Sequence, residues 1–226
     1  MIRCCIFDLD GTLLDTIETL AYCGNTVLEK YGYQPIEAKE YRYFVGDGYR
    51  EQAKRTLLYA GDKQLEHYES YCEEYMKFFK DHCTCYLKPY DGIIPLLQEL
   101  KERGIRIGCF SNKPHQQTID SLAAGVDLAF FDGIRGQVDG IPVKPDKTGA
   151  YLLLEELGGM KPEEVLYFGD TNTDMQTGKN AGFVTVGVTW GFRPKEELEA
   201  LQPQYIIDTP LEALSILEKE NGKEVE

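Results

Sequence analysis

Short hydrophobic runs alternate with stretches of helical periodicity along most of the chain. Five runs of apolar, β-branched and aromatic residues end in small or polar residues, and we predict buried strands there: Arg3–Asp8, Ile105–Ser111, Val165–Gly169, Val184–Val188 and, more weakly, Tyr205–Ile207. Helical patterns lie between these runs. Strand–helix alternation of this kind predicts an open parallel sheet with helices on both faces, which is an α/β fold.

Residues 16–88 depart from this alternation. Helical periodicity continues through the segment with no convincing strand, and 12 of the 15 tyrosines lie between positions 22 and 90. The segment Lys88–Gly92 contains Pro and Asp-Gly, which favour a turn. We therefore predict a core domain formed by residues 1–15 and 89–226, with residues 16–88 inserted as an α-helical domain.

Composition and charge narrow the classes of partner. The 226-residue chain carries a formal net charge of −14, so an acidic surface would repel nucleic acids and anionic membranes, and we expect neither as a partner. The N-terminal segment does not resemble a signal peptide, and the seven cysteines are odd in number and irregularly spaced. We expect reduced thiols and a cytoplasmic protein, while the pattern leaves open a monomer or a homodimer.

Polar residues gather where the predicted strands end, the edge of an α/β sheet at which ligands bind. The residues at this edge and on the segment before a later helix are Asp8, Asp10, Thr12, Ser111, Asn112, Lys113, Lys144, Asp170 and Asp174. Three or four carboxylates in one small space repel each other unless protons or cations neutralise them. An all-oxygen cluster of this kind suits Mg²⁺, and lysines with hydroxyl groups beside it suit a phosphoryl group in transfer.

Four segments resemble, in their order along the chain, the four motifs of the haloacid dehalogenase superfamily: Asp8–Leu13, Ser111–Lys113, Lys144–Pro145 and Gly169–Asp174. The helical insertion at residues 16–88 is similar to the small α-helical cap of that superfamily. The resemblance implies a Rossmann-like parallel-sheet core, Mg²⁺ as the cofactor and a small phosphorylated metabolite as the substrate.

The resemblance also implies catalytic roles at the matching positions. Asp8 resembles the nucleophile that takes the phosphoryl group as an aspartyl-phosphate. Asp10 resembles the general acid that protonates the leaving oxygen and then activates water. Ser111 and Lys144 resemble the groups that bind and neutralise the phosphoryl oxygens.

Metal and substrate contacts are implied in the same way. The implied Mg²⁺ ligands are the Asp8 carboxylate, the Asp10 backbone carbonyl and Asp170, with Asp174 as ligand or neighbour. The candidate substrate contacts are Thr12, Ser111, Asn112, Lys113, Gly46 and Asp47. For the last two the sequence allows both a loop that faces the substrate and a simple turn between helices.

Differences between this sequence and other members of the superfamily indicate which reaction to expect. Dehalogenases and phosphonatases of this superfamily lack an acid at the position of Asp10, and related sugar-phosphate mutases carry a histidine in the first cap helix, whereas Thr16–Lys30 contains none. Phosphate-ester hydrolysis therefore fits best. The segments Gly46–Gly48 and Gly187–Arg193 are similar to phosphoglycolate phosphatases, which makes a phosphoglycolate-like phosphomonoester the expected substrate. A mutase, a pyrophosphatase or a nucleotidase of the same superfamily are the alternatives.

Overall fold

Six parallel strands form the central sheet of the protein. The computed structural model describes residues 1–222, so the last four residues of the predicted core domain lie outside the described residues. The described residues form eight strands, β1 (Cys4–Phe7), β2 (Leu14–Asp15), β3 (Lys88–Pro89), β4 (Arg106–Pro114), β5 (Gly133–Gln137), β6 (Val165–Gly169), β7 (Val184–Val188) and β8 (Tyr205–Ile207). Of these, β2 and β3 pair only with each other, and the other six form the central sheet. The sheet has the order β5-β4-β1-β6-β7-β8, and every neighbouring pair is parallel. This confirms the α/β fold predicted from the sequence.

The central strand β1 is completely enclosed. Its four residues are all buried, because β4 and β6 flank it and helices cover both faces of the sheet. The Phe7 ring stacks on Phe168 of β6 with 4.5 Å between the ring centroids. The chain moves from β1 to β4 on one side and later to β6 on the other, so the strand order reverses beside β1. A crevice at the carboxyl ends of the strands is expected at such a point.

The edge strand β5 was not predicted from the sequence. Gly133–Gln137 contains Arg135 and a glutamine, and only its fourth residue is buried, so it has neither an apolar run nor a regular alternation. Its pairing with β4 depends on tertiary contact, and after a register shift beyond Phe110 the pairing resumes with Pro114 opposite Gln137. This pairing also explains why β4 runs three residues beyond its predicted end at Ser111.

The helical insertion contains four helices, α1 (Ile17–Lys30), α2 (Ala38–Tyr41), α3 (Tyr49–Ala60) and α4 (Tyr68–His82). The two chain segments that join it to the core pair antiparallel as β2 and β3. Its buried side chains form a separate hydrophobic cluster that includes Tyr41, Tyr71 and Tyr75, and Phe192 from the core packs into that cluster. This arrangement supports the predicted division at residues 16–88, which we propose as the domain organisation.

The remaining helices cover the sheet. They are α5 (Ile93–Glu102), α6 (His115–Gly125), α7 (Thr148–Glu156), α8 (Asn172–Ala181), α9 (Lys195–Ala200) and α10 (Glu212–Gly222). Within residues 1–222, none of the helices has the length and apolar character needed to cross a membrane. All seven cysteines are free thiols.

Candidate active site

Three buried carboxylates meet at the carboxyl edge of the sheet. Asp8 directly follows β1, Asp170 directly follows β6, and Asp174 lies in the first turn of α8. One carboxylate oxygen of each lies within 4.8 Å of the others. The sequence places these residues together because parallel strands end at the same edge, and the structure brings all three to one point.

Lys144 supplies the positive charge inside this cluster. Its Nζ lies 2.7 Å from Asp174 Oδ1 and 2.8 Å from Asp8 Oδ1, and its side chain is only 2% exposed. The Phe110 carbonyl and the Tyr167 hydroxyl accept further hydrogen bonds from Nζ at 3.3 and 3.4 Å. One cation therefore faces two carboxylates directly in a dry environment.

The protonation of the cluster reflects this imbalance. Burial and the negative charge of Asp174 raise the pKa of Asp8 to about 7, while Lys144 opposes the increase. Burial, Asp174 and Asp8 raise the pKa of Asp170 well above its ordinary value. Burial lowers the pKa of Lys144, but the charges of Asp174 and Asp8 outweigh that effect and hold the pKa well above its ordinary value.

Four hydrogen bonds orient Asp170 and Asp174. The Thr12 hydroxyl donates to Asp170 Oδ1 at 3.1 Å, and the Phe192 backbone N–H donates to Asp170 Oδ2 at 2.7 Å. The Thr171 backbone N–H and hydroxyl donate to Asp174 Oδ2 at 3.1 and 2.6 Å. The Asp174 backbone N–H in turn donates to the Thr171 hydroxyl at 3.3 Å, and together with the Thr171 N–H bond this forms a capping box at the start of α8. The side chain of Thr12, expected to contact substrate, is thus directed at an acid of the cluster.

The cluster fits a magnesium ion. The three side chains offer only carboxylate oxygens, the ligands that this ion prefers. Asp8 Oδ1 is buried and receives no aligned hydrogen bond within residues 1–222, and the group it faces is the Lys144 ammonium at 2.8 Å, so this ligand atom already lies where positive charge is favoured. A Cβ added at Gly191 would lie 2.2 Å from the Asp170 Cβ, so only glycine admits the backbone that closely.

The Asp10 side chain lies beside the cluster rather than in it. Lys113 Nζ is 2.6 Å from Asp10 Oδ1, and the Thr16 hydroxyl donates to the same oxygen at 2.7 Å. Within residues 1–222, both interactions of the Asp10 carboxylate use Oδ1. The other oxygen remains available for proton exchange, and the side chain is 17% exposed, so it borders the cavity described below.

The second motif joins the core to the helical insertion. The Asn112 amide donates to the Gly46 carbonyl at 3.0 Å and to the Lys144 carbonyl at 3.2 Å, while its oxygen accepts the Lys144 backbone N–H at 2.8 Å. Ser111 Oγ accepts the Lys113 backbone N–H at 3.2 Å. Asn112 therefore fixes the position of Lys144 and contacts the loop of the insertion at once.

The Asp47 carboxylate accepts hydrogen bonds from two neighbouring side chains. Arg55 of α3 donates to Asp47 Oδ2 at 2.5 Å, and the Thr173 hydroxyl of α8 donates to Oδ1. Asp47 is not among the residues that line the cavity, whereas Gly46 and Gly48 of the same loop are. The substrate contact expected for Asp47 stays a prediction, and the structure places this carboxylate between the insertion and the core.

A cavity lies between the helical insertion and the sheet edge. It encloses about 420 Å³ of space not filled by atoms, including open solvent at its mouth. The core contributes the acids, the second motif and the residue after it, namely Asp8, Asp10, Ser111, Asn112, Lys113 and Pro114. The insertion contributes mainly apolar and aromatic residues, namely Leu20, Val45, Gly46, Gly48, Tyr49, Gln52, Tyr75 and Phe79. Once a cation offsets the charge of the buried acids, the arrangement can hold a small anion beside Lys113.

Several groups at this site gave no signal in the sequence. Tyr167 looks like a core residue of β6, yet its hydroxyl donates to Asp174 at 3.3 Å. Thr16, Phe192 and Thr173 act through single hydrogen bonds to acids that are 6, 22 and 126 positions away along the chain. Thr173 and Phe192 lie within segments that resemble the family, but the pattern could not identify the acid that each of them contacts, because only the folded chain brings each donor to its acceptor.

The chain is similar to proteins of known family over nearly its whole length. Residues 5–188 match the haloacid dehalogenase-like hydrolase family. A phosphoglycolate phosphatase of Neisseria meningitidis is 31% identical over 96% of this chain and 94% of its own, and a pyrophosphatase of Bacillus mycoides is 30% identical over 96% and 97%. A haloacid dehalogenase-like hydrolase of Streptococcus pneumoniae superposes with a TM-score of 0.84 at 27% identity, covering 96% of this chain and 98% of its own.

Proposed function

The chain belongs to the haloacid dehalogenase-like hydrolases, and on that basis we propose that it is a Mg²⁺-dependent phosphatase acting on a small phosphomonoester. The observation that supports this most is the placement of the acids Asp8, Asp170 and Asp174 around Lys144, beside the Asp10–Lys113 pair and at one cavity. A nucleophile, a proton donor and positive charge are what phosphoryl transfer requires.

Asp8, Asp170 and Asp174 would hold the ion. When bound, Mg²⁺ supplies positive charge that keeps the acids ionised and offsets charge on the phosphoryl oxygens. The Asp10 backbone carbonyl stays a predicted ligand beside Asp8 and Asp170, with Asp174 as ligand or neighbour.

The residues of the chain then divide the reaction into two displacements. Asp8 attacks phosphorus, the bond from phosphorus to the leaving oxygen breaks, and Asp10 donates a proton to that oxygen. Asp10 next takes a proton from a water molecule whose oxygen attacks phosphorus, which breaks the bond to Asp8 and releases phosphate. Lys144 neutralises the carboxylates around the reacting group, and Lys113 orients Asp10 through their 2.6 Å contact.

The cavity supports a small substrate. It has only about 40 Å³ of space for the centres of water-sized molecules, and Asn112 together with the loop at Gly46 closes one side. We propose phosphoglycolate as the first candidate, since relatives such as the Neisseria protein carry that activity in their names. Pyrophosphate is the second candidate because of the Bacillus relative, and a sugar-phosphate mutase or a nucleotidase are further alternatives.

The test is release of inorganic phosphate with Mg²⁺ and again with a chelator, over a panel that contains phosphoglycolate, pyrophosphate, nucleotides and hexose phosphates. We expect Mg²⁺-dependent hydrolysis, abolished by Asp8→Asn and unchanged by Asp81→Asn, an exposed acid at the end of α4. Activity retained in Asp8→Asn would exclude this residue as the nucleophile. Isomerised sugar phosphate, followed by NMR, would instead favour the mutase.

A further inference from the structure

Two polar side chains on the insertion wall of the cavity have no role in the chemistry described above. Gln52 lies on α3 and is 5% exposed, and Tyr75 lies on α4 and is 1% exposed. Both line the cavity, among the apolar side chains of Leu20, Val45 and Phe79. A buried amide and a buried phenol in apolar surroundings require hydrogen-bond partners.

Their hydrogen bonding within the protein is incomplete. The Gln52 amide nitrogen donates to the Tyr75 hydroxyl at 3.2 Å, and the hydroxyl donates to the amide oxygen at 3.4 Å. One hydroxyl cannot serve both arrangements well, so these are alternatives for a single contact. Within residues 1–222, the Gln52 side chain has no other hydrogen-bond partner, so at least one N–H and the carbonyl lone pairs remain available to a ligand.

Positive charge is missing from this wall. Of the described residues that line the cavity, Lys113 is the only cation, and its Nζ is engaged by Asp10. The arginines of α3 face elsewhere, since Arg50 pairs with Glu69 on the surface and Arg55 donates to Asp47. The insertion therefore meets the leaving group with neutral donors and acceptors.

We propose that Gln52 and Tyr75 recognise an oxygen substituent on the leaving group, so that the substrate class is a short phosphomonoester bearing a carboxylate or a hydroxyl group. This inference rests on the proposed phosphatase function. The phosphoryl group occupies the end of the cavity at Asp8, and the leaving group extends towards the opposite wall, where the amide N–H and the phenol O–H donate to its oxygen. Burial raises the pKa of Tyr75 well above its ordinary value, so the hydroxyl keeps its proton.

The test compares substrates that differ only in that oxygen. Steady-state kcat/KM is measured for phosphoglycolate, 2-hydroxyethyl phosphate and ethyl phosphate with wild type, Gln52→Met and Tyr75→Phe. We expect each variant to lose about 10- to 100-fold in kcat/KM for the two oxygen-bearing substrates, mainly through KM, and to change little with ethyl phosphate. The loss is this large because each variant leaves the substrate oxygen, and the remaining member of the Gln52–Tyr75 pair, short of a hydrogen-bond partner in buried surroundings.

Matched control variants distinguish the loss of substrate recognition from a general effect on the packing of the protein. Tyr71→Phe removes the hydroxyl one turn earlier on α4, where it donates to the Gly24 carbonyl outside the cavity, and Gln117→Met makes the same change at a buried glutamine of α6. Both should leave the preference between substrates unchanged. Gln52→Glu distinguishes the two substituents, because its charge repels a carboxylate but accepts a hydrogen bond from a hydroxyl group.

Binding to Asp8→Asn protein with Mg²⁺, measured by calorimetry, gives a readout that does not need turnover. If wild type hydrolyses none of the three substrates, the proposed function fails. Recognition by Gln52 is still supported in that case if adding Gln52→Met to the Asp8→Asn protein weakens the binding of phosphoglycolate. An equal loss for ethyl phosphate and phosphoglycolate, or no loss for either, would overturn the role of Gln52 and Tyr75.

Discussion

Replacing Lys144 with methionine removes the positive charge at the centre of the acid cluster while keeping a long apolar side chain. Nζ lies 2.8 Å from Asp8 Oδ1 and 2.7 Å from Asp174 Oδ1, and the lysine side chain is 2% exposed. Breaking a buried ion pair by removing one partner costs about 3–5 kcal/mol, because the other charge stays buried without compensation. We expect the free energy of unfolding at pH 8, without divalent ions, to fall by about this amount.

The assay is urea denaturation in chelator, supported by thermal unfolding. For a chain of this size, 1 kcal/mol corresponds to about 2–4 °C, so the expected fall in Tm is about 6–20 °C. Lys147→Met is the matched control, because it removes an exposed lysine three residues further on that lies over the Tyr151 ring. Its stability should stay within about 0.5 kcal/mol of wild type.

The pH dependence of this loss checks its electrostatic origin. The pKa of Asp8 is about 7 in the folded protein against 3.8 ordinarily, so the folded state takes up a proton first and stability increases as pH falls through 7. Without Lys144 the pKa of Asp8 rises further, so the increase in folding stability begins at a higher pH. The difference between Lys144→Met and wild type should therefore shrink from pH 8 to pH 6. A difference below 1 kcal/mol at pH 8, or one independent of pH, would refute the reasoning.

Two further predictions concern the ion and the loop of the insertion. Mg²⁺ competes with the proton at Asp8, so we expect it to raise Tm more at pH 8 than at pH 6 in a fluorimetric scan, and an equal rise at both would contradict binding at the acid cluster. Asp47→Ala removes the acceptor for Arg55 and Thr173, so we expect KM to rise about tenfold for every substrate, with a smaller rise in Thr173→Val. A loss in Asp47→Ala that depends on the leaving group would instead indicate direct contact with substrate.

The strands that carry the acids could be predicted from the chain alone. Buried parallel strands need continuous apolar runs, and such runs end at Asp8 and at Asp170, so the pattern located both acids at one sheet edge. The motif order then indicated the family, which the match over residues 5–188 supports. Edge strand β5 was missed because a half-exposed strand needs little hydrophobic patterning and is held by pairing with β4.

The orientation of side chains required the tertiary structure. The substrate contact implied for Thr12 by its motif stays a prediction, and in the folded chain its hydroxyl donates to Asp170. Asp47 was compatible with either a turn or a substrate loop, and its carboxylate lies between Arg55 and Thr173. Motif positions specify which chemical groups reach the sheet edge, whereas donors from distant segments decide where each group points.

The sequence by itself therefore determined the fold class, the family and the set of acids and lysines, because these depend on local periodicity and on the ends of strands. The tertiary structure alone decided which acids share one metal-sized space, that Asp10 pairs with Lys113, and that Gln52 and Tyr75 face the cavity. Gln52 and Tyr75 lie on two helices, 23 positions apart, where nothing distinguishes them from residues that only pack. Their relation to the site exists only once the insertion lies over the sheet edge.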